Sequence, residues 1–193
     1  MKIAVIGTGF IGGTLGRALA ASGHAVRFGS RHPDDDDVAG DGAATVTSVT
    51  DAVASVDVVI LAVPGPSVSD VVDEHGHALA GKLVVDATNK MGDAVANSRA
   101  ALPPTVRYAR AFNTLGGENM AHPVFADGTA DMFFSSTEAD RATVEAIIEG
   151  VGLRPIYLGP DQEALLDCLF RVWVALAVGQ GRGRRLALRL LEG

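Results

Sequence analysis

The sequence predicts an α/β fold: a mostly parallel, doubly wound sheet with helices on both faces and a short helical extension at the C-terminus. Three observations predict it. The apolar runs are short and continuous rather than alternating, as strands buried on both faces require. Segments with helical spacing separate them. Glycines and prolines fall between the two kinds of segment, where turns belong. Strands and helices alternating in this way build βαβ units.

Taken in order, KIAVIG (Lys2–Gly7) is the first buried strand. IGGTLGRALAASG follows as a helix, with Leu15, Ala18 and Leu19 on one side and Gly23 as its stop. AVRFGS is a second strand, and HPDDDDVAGDGA is polar and loop-like. TVTSVTDAVASV reads as a short strand and helix. DVVILAVP is a buried strand that Pro64 ends. SVSDVVDEHGHALAG is a helix, KLVVDATN a strand, and VRYARAFNTL a strand running into a loop. DMFFSS is strand-like. TEADRATVEAIIEGVG is a helix with Thr137 placed to cap it and Asp140 three positions on. RPIYLGP is a last short strand, and the chain from about Gln162 to Leu191 is expected to be mostly helical.

Composition narrows the class. A length of 193 residues suits residues 1–160 as the main domain with 161–193 as an extension packing on it, a single structural unit. Hydrophobic residues at 48% and charged residues at 20% describe a packed core rather than a disordered chain. A net charge of −7 argues against general nucleic-acid binding. The single cysteine, Cys168, allows no internal disulfide and suits a reducing cytoplasm; its apolar neighbours predict a buried, inert thiol. The chain opens directly on a strand, without the apolar stretch of a signal peptide. LFRVWVALAVG is interrupted by Arg171 and is too short to span a bilayer. Asp34–Asp37 reads as a solvated loop, since consecutive carboxylates rarely converge on a metal; no metal is expected.

GTGFIG places Gly7, Gly9 and Gly12 in the G-x-G-x-x-G spacing, after a buried strand and at the opening of a helix. That context makes it a dinucleotide-binding turn and the fold Rossmann-like. Gly7 permits the tight turn, Gly9 lets backbone approach a pyrophosphate, and Gly12 brings helix and strand together. With Thr8, Phe10 and Ile11 these residues form the expected phosphate cradle at a helix N-terminus. At the end of the second strand, where an acidic residue would accept hydrogen bonds from both ribose hydroxyls, stand Gly29, Ser30 and Arg31. A guanidinium and a hydroxyl there suit a 2′-phosphate, which predicts NADP(H). Ligands of open parallel sheets lie beyond the carboxyl ends of the strands. Ala62, Val63 and Pro64 are therefore expected near the nicotinamide half, with Asn89 and Asn113 along the same crevice.

No catalytic residue is assigned. Lys90, His122, His75 and His77 are the candidates for a proton donor. Lys90, at a strand end, is the best placed; His75 and His77 flank a glycine near a helix end and are expected to face solvent. Only about thirty residues follow Pro160, too few for the large helical domain that small-substrate dehydrogenases append. A second planar cofactor against the nicotinamide would need less protein, and ring-to-ring hydride transfer depends mainly on holding two rings at contact distance.

IGTGFIGGTLGRALAASGHAVRFGSR, AFNTLGGENMAHPVF and TEADRATVEAIIEGVGLRPIYLGP together resemble the NADPH-dependent reductases of the deazaflavin coenzyme F420, the F420-dependent NADP oxidoreductases, over nearly the whole chain. The resemblance implies one Rossmann domain with a small C-terminal extension, paired into a homodimer. It implies 2′-phosphate contacts from Thr8, Ser30 and Arg31, and coenzyme F420 lying against the nicotinamide. Arg182, Arg184, Arg185 and Arg189, on or near a helix, would then meet the anionic tail of that coenzyme, or else form a solvated or dimer-pairing face. Leu169, Val172, Trp173 and Leu176 have the spacing of a core or interface helix. Two other readings remain open: an NADPH-dependent reductase of another acceptor (a flavin, a ferric chelate, a small carbonyl or imine), and an NADP(H)-binding sensor without turnover.

Overall fold

The computed structural model describes residues 1–35, 37–38, 44–191 and 193. The strands are β1 (Lys2–Ile6), β2 (Ala25–Ser30), β3 (Thr45–Ser48), β4 (Val58–Leu61), β5 (Leu83–Asp86), β6 (Arg107–Arg110), β7 (Val124–Phe125), β8 (Gly128–Thr129), β9 (Asp131–Ser136) and β10 (Arg154–Tyr157). The helices are α1 (Phe10–Ala21), α2 (Val49–Ala54), α3 (Val68–His75), α4 (Gly117–Ala121), α5 (Glu138–Gly150) and α6 (Glu163–Val174). Eight strands form one sheet in the order β3-β2-β1-β4-β5-β6-β9-β10. The first six are parallel; β9 runs antiparallel to β6, and β10 is parallel to β9. The order reverses between β1 and β4, and a ligand crevice belongs at that switch point.

Strand alternation divides the apolar side chains between two cores. Ile3, Val5, Ile60 and Val85 join Leu15, Leu19, Phe28 and Ile147 on one face. Ala4, Ile6, Val59 and Val84 join Val53, Val68 and Leu79 on the other. Continuous apolar strands arise because both faces of this sheet are covered.

Helix α5 begins as its sequence requires. Thr137 Oγ1 accepts from the Asp140 backbone N–H at 3.3 Å and donates to Asp140 Oδ2 at 2.9 Å. Asp140 is also held by Arg107. Thr137→Ala removes the cap, and urea unfolding should show a loss of about 1 kcal/mol.

The C-terminal segment departs from expectation. Helix continues through α6 and a wider π turn at Ala175–Gly179, and ends there rather than near Leu191. Gly181 and Gly183 both take positive φ, 64° and 82°, which stops a helix. The tail then lies extended against the body. Its Leu186 carbonyl accepts from Trp173 Nε1 at 2.8 Å and Asn119 Nδ2 at 2.9 Å. Arg184 pairs with Glu118 at 2.6 Å, and Arg185 stacks 3.9 Å over the Phe125 ring and donates to the Val124 carbonyl. These two arginines fasten the tail to α4 and the β7–β8 hairpin, so neither forms part of a solvated helical face. Along α6, Trp173 is buried and Leu169 and Leu176 are half-buried, but Val172 is 46% exposed. Cys168 is exposed, contrary to the buried thiol expected; it sits on the outer face of α6, where Arg171 Nη2 lies 3.7 Å from its sulfur. Asp34, Asp35 and Asp37 are exposed, as a solvated loop would have them; Asp36 lies outside the described residues.

Candidate functional site

The glycine turn joins β1 to α1. Gly7, at φ 106°, donates its N–H to the Gly29 carbonyl at 3.2 Å, so the turn and the end of β2 are held side by side. A Cβ added to Gly12 would stand 2.0 Å from the Gly7 carbonyl oxygen, so only glycine lets α1 start this close to the strand. Gly9 differs: a Cβ there would meet nothing within 4 Å, and protein packing does not require the glycine. Gly9 is the N-cap of α1, whose first turn carries no acidic residue and no side-chain cap, leaving its N–H groups and partial positive charge for an anion. Open space above Gly9, beside a helix N-terminus, is what a pyrophosphate needs.

A cavity of about 300 Å³ opens over this turn. Gly7, Thr8 and Gly9 form its floor, Ser30 and Arg31 one side, and Ala62, Val63 and Pro64 the end toward β4. Eight of the expected site residues thus meet around one space. Its volume is at the low end for ligand pockets and suits part of a dinucleotide. Arg31 is exposed and, among the described residues, in no ion pair; Ser30 Oγ accepts from the His32 N–H at 3.0 Å, shaping the corner. Gly12 lies beneath the cavity as support. Phe10 and Ile11 stand apart from its walls: Phe10 is 57% exposed, and both side chains crowd Gly117 at the start of α4. Any part they take in holding a phosphate runs through their backbone.

Asn89 and Asn113 lie further along the strand ends, outside this cavity. Asn89 Nδ2 donates to the Asn113 carbonyl at 3.1 Å. The Asn113 amide is 1% exposed, and neither its Oδ1 nor its Nδ2 has a partner among the described residues. Phe112, just before it, holds φ at 64°, a left-handed conformation costly for an aromatic residue. An orphaned amide next to a strained backbone costs stability twice, a combination that collects where a ligand completes the bonding.

Beneath the asparagines lies a buried charged cluster that sequence reading missed, because VRYARA reads as an ordinary strand. Arg110 is 0% exposed. Its Nη1 donates to the Thr88 carbonyl at 2.9 Å, and its Nη2 to Asn89 Oδ1 at 3.1 Å. Nη2 also lies 2.9 Å from Asp167 Oδ1 of α6, a charge contact without hydrogen-bond alignment, and Nη1 lies 3.4 Å from Asp86. Asp86 accepts from Thr88, the Ser98 N–H and the Tyr108 hydroxyl. Burial, and secondarily the Asp86 charge, hold the Tyr108 phenol well above its ordinary pKa, so it stays a neutral donor. The cluster ties the loop after β5 to β6 and α6 and fixes Asn89.

Of the proton-donor candidates, Lys90 is half-buried at the crevice, its stem packed so closely on Gly65 that a Cβ there would stand 2.5 Å from Lys90 Cγ. His77 and His122 are exposed. His75 is not solvent-facing as expected. Its side chain is 12% exposed and lines the same cavity as Arg31, because α3 turns that face toward β2. The signal was present in the spacing of Ser67, Asp70, Val71, Glu74 and His75, one helical face that only the fold connects to the glycine turn.

Comparison with known proteins gives a consistent result. The profile described as NADP oxidoreductase, coenzyme F420-dependent, matches residues 2–90. A glycerol-3-phosphate dehydrogenase (NAD(P)+) of Pseudomonas fluorescens strain SBW25 is 24% identical over 210 residues, which cover 98% of this chain and 61% of that protein. The chain therefore spans less than two thirds of that relative. An Arthrobacter sp. FB24 crystal structure, provisionally named an F420-dependent NADP-reductase, superposes with a TM-score of 0.80 at 24% identity, covering 100% of both chains. A Streptomyces aurantiacus imine reductase superposes at 0.70 with 20% identity, covering 95% of this chain and 69% of its own. At those identities the two structures establish the fold alone.

Proposed function

We propose, from the F420-dependent NADP oxidoreductase family that residues 2–90 match, that this protein moves a hydride between NADP(H) and a second redox cofactor, the deazaflavin coenzyme F420. The observation that carries the reading is the single cavity joining the glycine turn to Ser30 and Arg31, with no carboxylate at the end of β2. The Gly7–Gly9 backbone and the α1 N-terminus would hold the pyrophosphate. Arg31, Ser30 and Thr8 would hold the 2′-phosphate, the guanidinium offering paired N–H groups. Ala62, Val63 and Pro64 would border the nicotinamide half, and Asn113, with an unpaired donor and acceptor, matches the donor and acceptor of a carboxamide.

Bound NADPH supplies a hydride from its nicotinamide ring. The chain's own part is to hold two rings in contact and keep water out, which needs no acid or base on the protein. Of the candidate proton donors, His75 lines the cavity and Lys90 stands at a strand end outside it. Arg184 and Arg185 are engaged within the chain and are left out of any contact with an anionic coenzyme tail.

The test is an acceptor assay. Purified protein mixed with NADPH and coenzyme F420 should bleach the oxidised deazaflavin absorbance as NADPH is consumed. Tight NADPH binding with no change in the deazaflavin, and consumption only with a flavin, ferric or imine acceptor, would overturn the assignment of F420. Binding with no acceptor consumed would make the protein a sensor.

A further inference from the structure

The side-chain amide of Asn89 is held at both ends. Arg110 Nη2 donates to Asn89 Oδ1 at 3.1 Å, and Asn89 Nδ2 donates to the Asn113 backbone carbonyl at 3.1 Å. A guanidinium can only donate, so Arg110 fixes which end of the amide is oxygen and turns the NH2 toward Asn113. Arg110 is itself oriented by Asp167, whose Oδ1 lies 2.9 Å from Nη2. Asp167 is fixed in turn, because its Oδ2 accepts from the Ala96 N–H and from Asn97 Nδ2, both at 2.9 Å. A chain of oriented polar groups thus runs from α6 to the loop after β6, each link set by the one before it. A different strand pins the other side of that loop. The Phe112 N–H donates to Met132 Sδ of β9 at 3.1 Å, and Thr114 Oγ1 donates to the same sulfur at 3.8 Å. A strained residue such as the left-handed Phe112 persists only where its surroundings over-determine it, and here backbone bonds on both sides do so. The surroundings leave only the Asn113 side chain over, with neither Oδ1 nor Nδ2 partnered among the described residues.

We infer that Asn89 is a positioning residue, oriented by Asp167 through Arg110, and that it sets the Asn113 amide to meet the carboxamide of a nicotinamide. The inference rests on the reading that Asn113 takes that carboxamide. With its oxygen on Arg110 and its nitrogen on Asn113, Asn89 acts on the ligand through Asn113 and not by contact. Helix α6 of the C-terminal extension then shapes the site from behind the crevice, through Asp167, without touching what binds there.

The experiment compares NADP+ with its 3-acetylpyridine analogue, in which a methyl replaces the carboxamide NH2, by calorimetric titration. Wild-type protein should bind NADP+ about tenfold more tightly, because the analogue leaves Asn113 Oδ1 without a donor. Asn89→Asp keeps an oxygen for Arg110 but turns a second acceptor toward the Asn113 carbonyl, and should narrow the ratio to about twofold. Asp167→Asn, at the far end of the relay, should narrow it to about fivefold or less, and it carries the test if Asn89→Asp fails to fold. In an Asn113→Leu background the ratio should be near one, and adding Asn89→Asp should leave it there, since the effect passes through Asn113. Variants at Asn89 and Asp167 that weaken both dinucleotides equally, at the wild-type ratio, would overturn the inference: the relay would then only hold the loop in place. A wild-type ratio near one, with both dinucleotides bound, would remove the Asn113 contact and this inference while leaving the dinucleotide site at the glycine turn. If wild-type protein binds neither, the dinucleotide reading itself falls, and this inference with it.

Discussion

Replacing Arg110 with methionine is expected to lower stability by about 3–5 kcal/mol, measured by urea unfolding. The guanidinium is fully buried between Asp86 and Asp167, and removing it leaves two carboxylates in the interior without a cation. The Thr88 carbonyl and Asn89 Oδ1 lose donors as well. Such a loss is a large share of the stability of an ordinary domain, so only part of the variant is expected to be recovered as folded protein. A triple variant therefore accompanies it: Arg110→Met with Asp86→Asn and Asp167→Asn removes all three charges and should regain part of the loss, because no unpaired ion is left inside. A single-variant loss below about 1 kcal/mol would mean that water or a shifted side chain neutralises the carboxylates, and that the cluster is not what holds the strand ends.

The second large effect separates two glycines of one motif. Gly12→Ala sets a methyl 2.0 Å from the Gly7 carbonyl, so α1 must move off the turn. Overpacking of this kind costs about 1–3 kcal/mol, and the displaced Gly7–Gly9 backbone should weaken NADPH binding about 100-fold. Gly9→Ala meets no protein atom within 4 Å, and its φ of −68° suits alanine. Its stability should stay within about 0.5 kcal/mol of wild type, while NADPH binding falls by at least about tenfold, because the methyl enters the space proposed for the pyrophosphate. If Gly9→Ala bound NADPH normally, the space above the turn would not be the pyrophosphate site.

Legibility followed the range of the interactions. The alternating strands, the glycine turn, the Ser30–Arg31 corner and the Thr137 cap are local in the chain, and each stands where sequence reasoning put it. The strength of the turn lies in context, since a buried strand and a helix flank it. Features made by distant segments were not legible. Arg110 reads as one polar residue at a strand end; its burial depends on Asp167, which α6 brings to it. His75 reads as a surface histidine until α3 is placed beside Thr50 of α2, on the wall of the cavity at the end of β2. Cys168 has apolar neighbours in sequence, yet helical geometry puts it on the outer face of α6. The tail was a different kind of miss: Gly179, Gly181 and Gly183 were visible breaks, and the arginines between and after them masked the break by suggesting a charged helix. The orphaned Asn113 amide falls between these cases, because the residue was picked out by its place after a strand while its lack of partners is visible only in three dimensions.

Selection of a phosphorylated adenosine ribose by the end of β2 is tested most directly by paired titrations of NADPH and NADH against wild type and Arg31→Ala. The wild-type protein should strongly prefer NADPH, and the substitution should weaken NADPH about 10- to 100-fold while leaving NADH within about threefold. Equal wild-type affinity for the two, or an equal loss for both in the variant, would contradict it.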